Sequence, residues 1–177
     1  MARGPPALKQ CEIADEVVFW RWISVDKIGV VGKRSVYHVD ITKPSEPAVK
    51  IFDRDSKLDA CQIMSYDMDA AGKWCFLIGL YQQDSKINAW LQLYNIERQQ
   101  HQPIEGYAAC FSELPLSNTN PSYKNSVFCF CEKKAAEGIH RLHIMEIGNP
   151  APGDAKFKIS VDISMAPDAV GDFPIIM

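Results

Sequence analysis

The chain has 177 residues, of which 47% are hydrophobic and 23% charged, with a formal net charge of −3 and a pI near 5.8. The length suits one domain or a large part of one. The composition is that of a folded globular protein, and the acidic balance offers no basic field for nucleic acid. The longest mainly apolar stretch, residues 74–81, falls far short of a membrane span, and residues 1–8 hold no apolar run of signal-peptide length. A cytoplasmic protein with no direct membrane insertion is the expectation.

In chain order, β-type runs rich in Val, Ile, Phe, Trp and Tyr recur in sets of three. Residues 17–24, 28–31 and 35–41 form the first set. Residues 60–66, 74–80 and 89–96 form the second, and 106–111, 127–131 and 141–147 the third. The last strand of each set closes its unit, and the final isoleucines, Ile41, Ile96 and Ile147, step by 55 and 51 residues. Markers in the middle strands, Ile28, Cys75 and Val127, step by 47 and 52. A fourth unit begins near residues 157–163 and is cut off at 173–177. Residues 69–72, 82–85 and 137–138 are hairpin-sized linkers, 117–121 is a longer polar loop, and 148–153 joins the third unit to the fourth.

Units of about 40 to 50 residues, each with several short strands, are the pattern of β-propeller blades. One small sheet cannot cover both its faces, so neighbouring sheets stack, and strands buried on both sides lose clean alternation. No run keeps a 3.6-residue period. A β-sandwich is the rival fold, and the fifty-residue repetition favours blades. The expected class is all-β, an incomplete propeller of about three full blades and part of a fourth.

The six cysteines are Cys11, Cys61, Cys75, Cys110, Cys129 and Cys131. Cys75, Cys129 and Cys131 lie among aromatic residues and read as reduced, buried thiols. The Cys129–Cys131 spacing lacks the second ligand pair of a zinc site, and His140 and His143 nearby match no common zinc spacing. Asp53, Asp55 and Asp59 suggest a calcium loop, but the glycine and closing glutamate it needs are missing, so a solvated turn is the plainer reading. No nucleophile elbow, phosphate loop or dinucleotide fingerprint occurs. His38, His101, His140 and His143 have no nucleophile in register, and His38 and His143 read as structural strand residues. No enzyme, no metal and no cofactor is expected.

More specific stretches follow. Val18-Phe19-Trp20-Arg21-Trp22-Ile23-Ser24, Val36-Tyr37-His38, Phe52-Asp53-Arg54, Cys61-Gln62-Ile63, Lys73-Trp74 and Leu91-Gln92-Leu93-Tyr94 stand in that order. Gln102-Pro103-Ile104-Glu105-Gly106, Phe128-Cys129-Phe130, Leu142-His143-Ile144 and Asp172-Phe173-Pro174 continue it. Together they resemble the N-terminal propeller domain of the clathrin heavy chain, collinearly over residues 15–177, while residues 1–14 depart from it. The resemblance covers about half of a seven-bladed domain, roughly its third to sixth blades. It implies a coat-protein fragment of clathrin-mediated endocytosis and vesicle transport, on the cytosolic face of coated pits and coated vesicles.

It also implies a recognition module for short linear motifs of adaptor and accessory proteins, such as arrestin-type motifs and adaptor-complex hinges. Clathrin light chain is implied as a partner only through regions outside this chain. The family's arrestin-box groove maps onto Trp74, Leu93, Arg98, Gln100, Gln102 and Ile104. There Trp74, Leu93 and Ile104 are the apolar walls, Arg98 meets an acidic residue and Gln102 bonds the peptide backbone. Gln100 replaces an aliphatic residue of the family and weakens one pocket. A second family site, the W-box, maps onto Gln62 and Met64 and lacks its remaining wall. The clathrin-box groove falls before Asp15 and is expected to be missing.

Apart from the resemblance, Trp74 and Leu93 are core residues of almost any β fold, and the polar run 97–102 reads as a solvated loop. A propeller scaffold without a peptide groove is the alternative. An accessible crevice lined by Trp74, Leu93 and Ile104, with Arg98 at its rim, separates the two.

Overall fold

A computed structural model describes residues 9–115, 124–134, 139–148, 156 and 158–163. These residues form twelve antiparallel strands in three four-stranded sheets, each laid down in chain order. Sheet one comprises β1 (Val17–Trp22), β2 (Lys27–Gly32), β3 (Ser35–Asp40) and β4 (Val49–Asp53). A 3-10 turn at Ser56–Leu58 leads to sheet two: β5 (Gln62–Met68), β6 (Trp74–Gln83), β7 (Lys86–Asn95) and β8 (Gln100–Glu105). Sheet three holds β9 (Ala108–Leu114), β10 (Asn125–Lys134), β11 (Ile139–Glu146) and β12 (Lys158–Ile163). No helix among the described residues is long and apolar enough to cross a membrane.

The all-β expectation holds, and the repeat is a four-stranded unit. Two details of the sequence reading change. The runs 35–41, 89–96 and 141–147 do not close their sheets, because β4, β8 and β12 follow each as a fourth strand. The strand taken to begin a fourth unit is β12, and it pairs with β11: Leu142 lies opposite Val161 and Ile144 opposite Ile159. The linker at 82–85 narrows to the two-residue turn Asp84–Ser85, with φ of 50° and 61°. Positive φ at both positions matches the right-handed strand twist. The segments 117–121, 137–138 and 173–177 lie outside the described residues, as does the linker 148–153 beyond Gly148.

Two apolar layers separate the sheets. Val31, Val36 and Phe52 of sheet one meet Ile63, Tyr66, Cys75, Leu77 and Tyr94 of sheet two. On the opposite side of sheet two, Phe76, Ile78, Leu91 and Leu93 meet Phe128, Phe130 and Ile147 of sheet three. The middle sheet therefore buries both faces, which is why β6 reads as an unbroken apolar run, Trp-Cys-Phe-Leu-Ile-Gly-Leu. Alternation sends Cys75 and Leu77 one way and Phe76 and Ile78 the other.

A close approach joins the first two sheets. A Cβ placed on Gly29 lies 2.5 Å from Cε1 of Tyr66, so only glycine lets that ring seat against β2. The Tyr66 hydroxyl lies 2.6 Å from Nε2 of His38 and donates to Sγ of Cys75 at 3.1 Å. His38 thus ends in a strand-to-strand hydrogen bond, and His143 lies between Glu132 and Ser160, each at 2.9 Å.

Candidate functional site

The β6–β7–β8 ladder sets the site. Trp74, Asn95 and Gln100 are directly paired across three strands, and the next rung on the same face is Phe76, Leu93 and Gln102. The rung beyond it is Ile78, Leu91 and Ile104. Side chains on one face of a strand recur every second residue, so each rung lies about 7 Å from the last.

At the end of the seam between sheets two and three this face opens into a groove of about 400 Å³. Trp74, Leu93, Arg98, Gln100 and Gln102 line it from sheet two, with Met145, Glu146, Ile147 and Gly148 opposite. Of the six residues mapped to this groove, five are brought together. The sixth, Ile104, sits two rungs deeper than Gln100 and packs, partly buried, against the core cluster that contains Leu93. Leu93 is only 6% exposed and forms the floor, whereas Trp74 is half-buried and forms a wall.

Arg98 belongs to the turn between β7 and β8. Its backbone N–H donates to Oδ1 of Asn95 at 2.8 Å, and Gln99 follows with φ of 54°. That side-chain-capped turn fixes where the exposed guanidinium leaves the backbone. Among the described residues no carboxylate lies within salt-bridge distance of Arg98. Lys73, also on the rim, is committed to Glu97 at 2.9 Å, and the hydrogen bond and charge of that carboxylate raise its pKa. Across the groove Glu146 is buried and accepts a hydrogen bond from Nδ2 of Asn125. The rim thus presents the positive charge of Arg98, joined by Lys156, above an apolar floor.

The polar run 97–102 is a strand over its second half rather than a loop. Gln100 and Gln102 face the groove, while His101 turns to the other seam and lies 3.1 Å from Asp55. Asp55 itself caps the 3-10 turn through the N–H of Lys57 at 2.9 Å, and Asp53 pairs with Lys50 at 2.7 Å. These contacts give two of the three clustered aspartates local structural work.

Gln62 and Met64 are exposed neighbours at the start of β5, where the ladder to β6 shifts register between Ile63 and Ser65. Neither lines the groove. The groove residues not anticipated, Met145, Ile147 and Gly148, come from the end of β11. The strand-end isoleucine series carried the relevant signal: Ile147 occupies in sheet three the place that Ile96 holds in sheet two.

No protein-family model matches the chain. Individual proteins do. The chain is 42% identical over 172 residues to the probable clathrin heavy chain 1 of Caenorhabditis elegans. It is 38% identical over the same length to clathrin heavy chain 2 of Homo sapiens and to the clathrin heavy chain of Drosophila melanogaster. Each match covers 96% of this chain and 10% of the relative, so the chain spans about a tenth of the length of those proteins. Similarity at this level along nearly the whole chain, in a fold whose sheets follow the same collinear segments, has one reading: over the residues matched, the chain belongs to the clathrin heavy chain family.

Proposed function

We propose that the three sheets are successive blades of an open, clathrin-type propeller segment, and that the groove beside Trp74 holds short extended peptides of adaptor or accessory proteins. Chain-ordered four-stranded sheets stacked face to face support the blade reading. The observation that carries the binding reading is an open crevice with an indole wall, an aliphatic floor and an uncommitted guanidinium at the rim. That combination suits a motif with one or two bulky apolar side chains and a neighbouring acid. Gln100 and Gln102 offer donors and acceptors to the peptide backbone along β8, the outer edge of its sheet. The module acts by recognition, without catalysis or cofactor, in a coat on the cytosolic face of pits and vesicles. Each contact is weak there, and many copies act together.

Gln62 and Met64, both exposed, form at most one wall of a second site. The alternative, a scaffold with no peptide groove, draws on the depth of Ile104 and the burial of Leu93. The accessible volume between Trp74 and Ile147 weighs against it. Titrating the full chain with a fluorescent acidic-hydrophobic peptide, followed by anisotropy, tests the proposal. Saturable binding that Trp74→Ala removes, with the strand content unchanged by circular dichroism, is the expected result. No saturable binding, or equal binding by Trp74→Ala, rejects the groove.

A further inference from the structure

Cys110 of β9 and Cys129 of β10 are direct partners in the antiparallel ladder. Their flanking residues Ala109, Phe111, Phe128 and Phe130 all turn into the layer against sheet two. Alternation therefore sends both thiols to the opposite face of sheet three. On that face the outer strand β12 leaves Ile159 and Val161 42% and 46% exposed, while Val127 and Cys131 of β10 are buried. Both cysteines are half-buried, unlike Cys75 and Cys131, which are fully buried. The sequence reading of Cys129 as a buried thiol is thus corrected to half-buried, although Val127 and Cys131, its neighbours on the same face of β10, are buried.

We propose that Cys110 and Cys129 form a redox-active dithiol that closes to a cross-strand disulfide when it meets a disulfide oxidant of the glutathione class. Directly opposed residues in an antiparallel pair have Cα atoms about 4.5 or 5.5 Å apart, depending on pair type, and both values lie within the range a disulfide spans. Their Cβ atoms start about 1 Å farther apart than a relaxed disulfide prefers. The bond is accordingly strained and easily reduced, as suits a reversible modification rather than a structural staple. The hydrogen bond between the two thiols lowers the pKa of Cys110 against the opposing effect of burial. The partner thiol is pushed up by the same hydrogen bond and by burial. Cys110 is then the nucleophile and Cys129 the resolving thiol.

The chemistry balances. The Cys110 thiolate attacks one sulfur of glutathione disulfide and expels a glutathione thiolate, leaving a mixed disulfide. Cys129 gives up its proton and attacks Sγ of Cys110, expelling the second glutathione thiolate. One sulfur–sulfur bond forms in the protein and one is lost from the oxidant. Two electrons pass to glutathione, and the two thiol protons end on the two glutathione products.

The test equilibrates the full 177-residue chain with buffers of graded oxidised-to-reduced glutathione, then acid-traps, alkylates and maps the peptides. The expected result is loss of both alkylatable thiols together, with Cys110 and Cys129 in one linked peptide pair that dithiothreitol restores, while Cys75 and Cys131 stay alkylatable. In Cys129→Ser the expected product is a persistent glutathione adduct on Cys110. The proposal is overturned if both thiols stay free even in excess oxidised glutathione with no reduced glutathione added, or if the bond joins either residue to Cys131. Mapping of the unaltered chain decides the matter even where a serine variant fails to fold.

Discussion

The side chain of Gln92 reaches out of sheet two and accepts the backbone N–H of Asp55 at 2.8 Å through Oε1, while its Nε2 donates to the carbonyl of Asp53 at 3.0 Å. Gln92 is completely buried and flanked by Leu91 and Leu93, which face the opposite layer. One amide thus satisfies both a donor and an acceptor where sheet one hands the chain to the 3-10 turn. Gln92→Leu keeps the volume and orphans two backbone groups. The expected loss of stability is about 2–3 kcal/mol in urea unfolding. A change below about 0.5 kcal/mol is the magnitude of an ordinary surface substitution and defeats this account.

Arg98 supplies the uncommitted charge at the groove rim. Arg98→Glu is expected to weaken an acidic-hydrophobic peptide by about tenfold, the scale of a charge-assisted hydrogen bond discounted for solvent exposure. Added salt narrows the difference. Equal affinity of the two proteins in an anisotropy titration removes Arg98 from the site.

Burial of His38 first, and the charge of Lys27 second, lower its pKa from 6.5 to about 4. The folded state keeps the ring neutral while the unfolded chain takes up a proton below about pH 6.5. Stability from this residue is complete above pH 6.5, falls as pH drops toward 4, and is gone below that. The full difference amounts to roughly 3 kcal/mol. Denaturant midpoints measured between pH 7.5 and 4.5 are expected to decline in the native chain and to flatten in His38→Gln. Parallel slopes in the two proteins count against His38 as the titrating group.

Gly29→Ala sets a methyl against the Tyr66 ring, whose hydroxyl is tied to both His38 and Cys75. Because the ring has no free rotamer to retreat into, the expected destabilisation is about 2–3 kcal/mol. A thermal melt unchanged within about 2 °C shows that the ring gives way instead.

The apolar strands were legible because their composition is set by burial on both sides. β6 packs against a neighbouring sheet on each face, and β10 buries Phe128 and Phe130 on one face and Val127 and Cys131 on the other. Two of the outer strands, β4 and β8, were not. β8 reads Gln-His-Gln-Pro-Ile-Glu and β4 reads Val-Lys-Ile-Phe-Asp, since an edge strand has half its surface in water and carries no apolar period. β12 has apolar alternation, Ile159 and Val161, but nothing in that pattern says whether it ends one sheet or starts the next. The same limit applied to the site. Trp74, Leu93, Arg98, Gln100 and Gln102 came from a family resemblance, whereas the wall from β11 needed the packing of one sheet on another. Ile104 came from the same resemblance, yet the two-residue period lowers it one rung at a time into the core.

In β8 three consecutive residues divide their allegiance: Gln100 and Gln102 look into one seam, and His101 looks into the other, toward Asp55. Point replacements there are local matters. A single-residue deletion is not, because it exchanges the two sides at once, sending imidazole into the groove beside Trp74 and carboxamides toward a carboxylate. Drift in this stretch should therefore run through changes of residue identity, with its length held constant.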